Sequence, residues 1–177
     1  MKDVSIICSG YVGSFLADYK NYEEQIRNHE PMENVEFDVS HIFDDSFLAF
    51  SIQLGKESFG MYADIGANVT DDIIAWLESI CLGYSESFLL LDAEGPQYMF
   101  RFYSYYGERP RFSILDAEAN FHCDILIDKK EFVNSFWNAI QAALKKTPGR
   151  LYRMVNAELP VRRSIIIRNY LKKGIRG

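Results

Sequence analysis

The sequence predicts an α+β domain: an antiparallel β-sheet of about six to seven strands, helices packed on one face, and a basic, helical C-terminal tail. Three observations predict it. Alternating apolar and polar segments of strand length recur along the chain, and two segments with helical spacing interrupt them. The turns between neighbouring strands are also too short for parallel crossovers. With 177 residues, 48% of them hydrophobic and 15% aromatic, the chain can bury one sizeable core.

The first element is the apolar run at residues 4–8, followed by Gly10 and Gly13. It has the outline of a dinucleotide-binding turn, which needs glycine at three places. The first place is Cys8, whose Cβ the tight turn does not accommodate. The strand that follows in such a fold is nearly all apolar and ends in an acid, for which Glu33 and Glu36 have about the right spacing. Residues 35–43 instead alternate Val35, Phe37 and Val39 with Glu36, Asp38 and Ser40, the pattern of a half-exposed strand. The start of the chain therefore reads as a short strand, a glycine turn and an amphipathic helix with Phe15, Tyr19, Tyr22 and Ile26 on one stripe. No cofactor is expected.

The strand at 35–43 is joined to 46–54 through Asp44 and Asp45, and Gly55–Lys56 leads into 58–65. The period then changes. Ile73, Ile74, Leu77, Ile80 and Cys81 have helical spacing; Thr70 is the expected N-cap, Asp71 and Asp72 fall in the first turn, and Gly83 closes the helix. Strands are expected again at 87–92, 97–106, 109–115 and 121–127. The segment "DKKE" (128–131) resembles a capping box and opens a second helix, with Phe132, Phe136, Ile140 and Leu144 four residues apart.

Charge divides the chain into an acidic body, residues 1–148, and a basic extension, residues 149–177. The extension holds eight basic residues (Arg150, Arg153, Arg162, Arg163, Arg168, Lys172, Lys173 and Arg176) against Glu158 alone. The body holds 11 basic and 24 acidic residues, so the formal net charge of −6 conceals a strong asymmetry. Pro160 and Gly174 bracket a helix whose Val161, Ile165, Ile166 and Ile167 pack it on the body.

Chemistry-bearing motifs are lacking. His29, His41 and His122 fit no metal motif, no CxxC pair occurs, and no metal or catalytic residue is assigned. In "FHCD" (121–124), strand alternation puts His122 and Asp124 on one face as a polar pair and Cys123 in the core with Ile125 and Ile127. In 98–112, Arg101, Arg109 and Arg111 lie among aromatic residues, a composition that suits a nucleic-acid platform. Phe100, Phe102 and Phe112 read instead as core, and the acidic body disfavours nucleic acid as a partner. Three widely spaced cysteines, Cys8, Cys81 and Cys123, suit reduced thiols in the cytoplasm. No apolar run reaches the roughly 20 residues of a membrane span, and Asp3 stands where a signal peptide is basic.

The expected function is non-enzymatic binding of a basic protein. Asp44, Asp45, Asp64, Asp71, Asp72, Asp92 and Glu94 fall at strand ends, turns and a helix start, where they build a negative field. Tyr103, Tyr105 and Tyr106 supply aromatic anchors beside the turn at 107–110. The stretches "FLLLDAEGPQYMFRFY", "RFSILDAE" and "CDILIDKKEFVNSFWNAIQAAL", about 60 residues in all, resemble the second half of immunity proteins of bacterial polymorphic-toxin and contact-dependent inhibition systems. That resemblance implies a cytosolic, non-enzymatic inhibitor of a cognate toxin domain, without catalytic residues or cofactor. The basic tail departs from it. Two other readings stay open: a small enzyme with a cleft that the sequence does not reveal, and a nucleic-acid or assembly-associated module acting through the tail.

Overall fold

The computed structural model describes residues 2–9, 25–26, 28–43, 47–64, 69–92, 96–105, 108–146 and 164–173. Among them the architecture is α+β, but two sheets replace the single antiparallel one expected. Strands β2 (Phe37–Phe43), β3 (Phe47–Leu54) and β4 (Glu57–Asp64) form an antiparallel sheet in that order. The second sheet has the order β1-β5-β6-β7-β8, built from β1 (Lys2–Ser9), β5 (Tyr84–Asp92), β6 (Gln97–Tyr103), β7 (Arg111–Asp116) and β8 (Phe121–Leu126). Its strands are antiparallel except that β1 runs parallel to β5. A parallel pair needs a long crossover, and here the crossover contains the whole three-stranded sheet and helix α1 (Val69–Cys81). Short turns restrict neighbouring strands only, so they gave no warning of this pairing.

Local chemistry sets the element ends. Gly55 opens the two-residue β3–β4 turn at φ 59, a conformation open to glycine without strain. Helix α1 starts at Val69, so Thr70 lies inside its first turn rather than before it, while Asp71 and Asp72 fall in that turn as expected. Gly83, at φ 84, ends it, with its N–H donating to the carbonyl of Ile80 at 3.0 Å. Helix α2 (Lys129–Lys146) is capped by Asp128, whose Oδ1 accepts from the N–H groups of Lys130 and Glu131 at 2.8 and 2.9 Å. Helix α3 (Ile165–Lys172) is capped by Ser164, whose Oγ accepts from the N–H of Ile167 at 3.1 Å.

One face of the five-stranded sheet shares a core with α1, α2 and the three-stranded sheet. Trp76 lies at its centre, fully buried, with ring centroids 5.5 to 6.1 Å from those of Phe100, Phe112, Phe132 and Phe136. Its indole N–H donates to the carbonyl of Ser87 at 3.0 Å, which fixes α1 on β5. The opposite sheet face is covered as well: Ile26 packs with Phe88, Leu90, Met99 and Leu115 in a smaller cluster. Residues 25, 26 and 28 are helical, so helical structure is not confined to one face. Phe15, Tyr19, Tyr22, Gly10 and Gly13 lie outside the described residues.

Helix α3 seats a fully buried Ile167 on the main core, with Tyr170 and Leu171 beside it, and leaves Arg168, Lys172 and Lys173 exposed. The Lys129 ammonium lies 5.5 Å from the Tyr170 ring centroid and 5.8 Å from that of Phe102. Burial lowers the pKa of Lys129. It also pushes the Tyr170 phenol up to about 12, with Cys81 and Asp128 adding to the rise.

The aromatic centre gives the first prediction. Phe132→Ala removes a fully buried ring that touches Phe37, Trp76, Phe102, Phe112 and Phe136. It should destabilise the fold by about 3–5 kcal/mol in urea unfolding, with the denaturant slope unchanged.

Candidate functional site

Register aligns Arg101, Ser113 and Asp124 in one row of the second sheet face, with Glu86, Tyr103 and Arg111 in the next. Arg101 Nη2 donates to Glu86 Oε1 at 2.5 Å. Arg111 holds both oxygens of Asp124, with Nε 2.6 Å from Oδ1 and Nη2 2.5 Å from Oδ2. Ser113 Oγ donates to Asp124 Oδ1 at 2.8 Å, and His29 Nδ1 meets Oδ2. Arg111 Nη2 also donates to the carbonyls of His29 and Ile26, at 2.9 and 3.3 Å, so the pair fastens the preceding segment to the sheet. Met32 completes the attachment by bridging the outer edge of β8 through Asp124 O and Leu126 N.

Two readings of the sequence change here. Arg101 and Arg111 are buried against carboxylates and do not project as a phosphate-gripping platform, although Phe100, Phe102 and Phe112 do line the core. His122 and Asp124 do not form a pair. Ile114 faces Cys123 while Leu115 faces Phe121, so His122 is an extra residue in β8 and strict alternation fails. His122 Nε2 instead meets Asp116 at 3.0 Å, and its ring lies 5.3 Å from that of Phe59. Cys123 is buried in the core beside Ile125 and Ile127, as expected.

The segment fastened by Arg111 continues into residues 34–38, which run beside the start of α2 and leave an open groove of about 570 Å³. Glu36 and Asp38 come from the exposed side of the strand, and Asp128 and Glu131 from the start of the helix. All four acids are exposed; Val35, Phe37 and Leu126 between them are half-buried, and Phe132 is buried. The rim is therefore acidic and the floor apolar. Among the described residues, Arg109 is the only cation on the lining and none of the four acids is ion-paired. The α2 N-terminus offsets part of the negative charge of Asp128 and Glu131. Glu36 and Asp38 have no such compensation. Among the described residues, no serine, cysteine or histidine lines the groove.

The residues expected to bind a partner do not gather there. Asp44, Asp45, Glu94 and Tyr106 lie outside the described residues. Asp64 ends β4, Asp71 and Asp72 occupy the first turn of α1, and Asp92 ends β5 opposite Gln97. Tyr103 pairs with Glu86 near the other end of β5, about 20 Å along the strand from Asp92. Its hydroxyl donates to Glu108 at 2.9 Å, and that of Tyr105 to Glu86 at 3.2 Å. Their rings meet edge to face at 4.9 Å. The two tyrosines thus brace the buried Glu86–Arg101 pair, and they stand at the opposite end of the sheet from Asp92. Sequence reasoning had placed Glu36 and Asp38 on the exposed side of their strand and Asp128 at the helix start. Their convergence depends on tertiary contacts that no local pattern carries.

The chain matches no family model, no curated protein and no solved structure. Among the described residues, no helix is long and apolar enough to cross a membrane, and no cluster of three metal-ligating side chains occurs. The three cysteines are free. Burial raises all three thiol pKa values, that of Cys81 to about 12, so none is activated as a thiolate.

Two predictions follow from the charged pairs. Arg111→Met strands a buried carboxylate and should destabilise by about 3–5 kcal/mol, whereas Arg111→Met with Asp124→Leu should recover at least half of that. Equal losses in the single and double variants, measured by urea unfolding, would refute this role. Burial acts to raise the pKa of Asp116, but hydrogen bonds from Asn120 and His122 outweigh it and leave the pKa below the ordinary value of 3.8. A lowered folded-state pKa adds stability that is fully present above the unfolded value and is lost as pH falls through the folded one. The stability difference between the parent and Asp116→Asn should therefore shrink as pH falls below about 4. Parallel unfolding titrations check the sign.

Proposed function

We propose that this protein is a non-enzymatic binding module that takes a basic partner in the groove between residues 34–38 and the start of α2. One observation carries the reading: four exposed carboxylates surround an apolar-floored concavity that holds Arg109 as a single described cation, and among the described residues none of the four is ion-paired. A cleft in which negative charge predominates focuses its field outward, which speeds encounter with a cationic protein and makes the association salt-sensitive. The narrower reading, an immunity protein that neutralises a toxin domain in the cytoplasm, draws on the resemblance over residues 88–144 and on the acidic body.

Copurification from the native cell at low salt should yield one basic protein domain that is released as salt rises. Glu36→Gln, Asp38→Asn and Glu131→Gln combined should weaken its binding roughly 10- to 100-fold in calorimetry, at about 0.5–1 kcal/mol per rim charge. Asp128 is left intact because it caps α2. Coexpression with the captured domain should protect cells that the domain alone kills. Undiminished binding by the triple variant would remove the groove from the proposal, and a harmless partner would remove the immunity reading.

A further inference from the structure

We infer that the partner enters the groove as an extended segment of alternating basic and apolar residues and adds as a strand to the outer edge of β2. The inference rests on the groove being the site of a basic partner, and specifies how that partner is held. β2 is an edge strand, paired only with β3. The N–H of Gly55 donates to the carbonyl of Glu36 at 2.9 Å, and the register continues Asp38↔Gln53 and Ser40↔Ser51. Residues of even number are thus the ones bonded to β3, and the N–H and C=O of Phe37 and Val39 point away from it. No described residue bonds to those outward groups; Val39 is buried and outside the groove, so the accessible edge is that of Phe37. Phe37 lies in the groove, so an unpaired backbone edge, an apolar floor and an acidic rim coincide.

Alternation then fixes the chemistry of the occupant. A strand added to β2 presents successive side chains to opposite faces. Those on the side of Glu36 and Asp38 meet two uncompensated carboxylates, and basic residues suit them. Those on the side of Phe37 meet Val35, Leu126 and Phe132, and apolar residues suit them. A second copy of this chain fits poorly, because its own Glu36 and Asp38 would oppose like charges. The described basic helix of this chain, α3, is already seated on α1 and α2.

The test uses the whole protein, ¹⁵N-labelled, with a capped octapeptide of alternating Lys and Val at about 20 mM salt. Two further peptides carry backbone N-methyl groups on every Val or on every Lys. One methylated peptide alone should lose at least tenfold in affinity: the Val set if the added strand is antiparallel to β2, the Lys set if it is parallel. A one-residue slip cannot rescue the weaker peptide, because it would turn the lysines onto the apolar floor. Amide exchange at Phe37 should slow at least tenfold when the unmodified peptide binds. Equal affinities for the two methylated peptides, or unchanged exchange at the Phe37 amide, overturn strand addition. If Glu36→Gln with Asp38→Asn still weakens binding in that case, the acidic groove stands without it. Failure of the unmodified peptide to bind removes both readings.

Discussion

A guanidinium withdrawn almost wholly from water is tolerable only beside a carboxylate, and the arrangement of this molecule depends on how Arg111 meets that demand. The central strands are covered on both faces, so charges on the second face of the sheet are buried rather than solvated. Asp124 satisfies Arg111 from the neighbouring strand, and the donors that remain reach the carbonyls of Ile26 and His29. The ion pair is thereby also a clasp. It holds the segment that carries Ile26 into the second cluster and delivers residues 34–38 to the mouth of the groove. A hydrophobic replacement of the pair could match its stability but would not bond those two carbonyls, which is where specificity of placement resides.

The charges of the molecule fall into two populations with different physics. Glu86, Arg101, Arg111 and Asp124 are buried, paired across strands and committed to the fold. Glu36, Asp38, Asp128 and Glu131 are exposed and converge on one concavity without a paired cation. Solvated acids scattered over a surface contribute little to recognition, since each is screened separately. Acids brought together on the rim of an apolar groove repel one another, and an incoming cation relieves that repulsion. This is why the groove, rather than the more numerous acids at strand ends, carries the functional reading.

Local patterns in the sequence were sufficient for the helices of the main core. Ile73, Ile74, Leu77 and Ile80 in α1, and Phe132, Phe136 and Ile140 in α2, are buried as their spacing implies, and Gly83 and Asp128 mark the boundaries. What local patterns lack is long-range pairing. The parallel β1–β5 contact joins strands separated by an entire sheet and a helix, and no turn residue encodes it. The extra residue His122 falls outside the alternation that holds from Cys123 onward, so it parts from Asp124 while Cys123 and Asp124 keep the sides their pattern implies. Arg101 and Arg111 looked like surface cations for the same reason: strand alternation identifies the second face, but not what covers it. All four groove acids belong to local features of the sequence, and their convergence followed only from the Arg111 clasp.

The two edges flanking the groove are treated differently. The outer edge of β8 is closed by Met32, whose N–H and C=O satisfy the strand's outward groups at Asp124 and Leu126. The outer edge of β2 has no such cover at Phe37; it is flanked by Glu36 and Asp38. An open edge invites pairing with any passing strand, and flanking charges are a common protection because they penalise most partners, identical copies included. Protection by charge is selective in a way that a covering segment is not. A segment such as Met32 excludes every strand, whereas carboxylates exclude neutral and acidic strands and admit a basic one. The acids that keep β2 from self-association are therefore the same groups that would set its choice of partner, and a single pair of residues serves both ends.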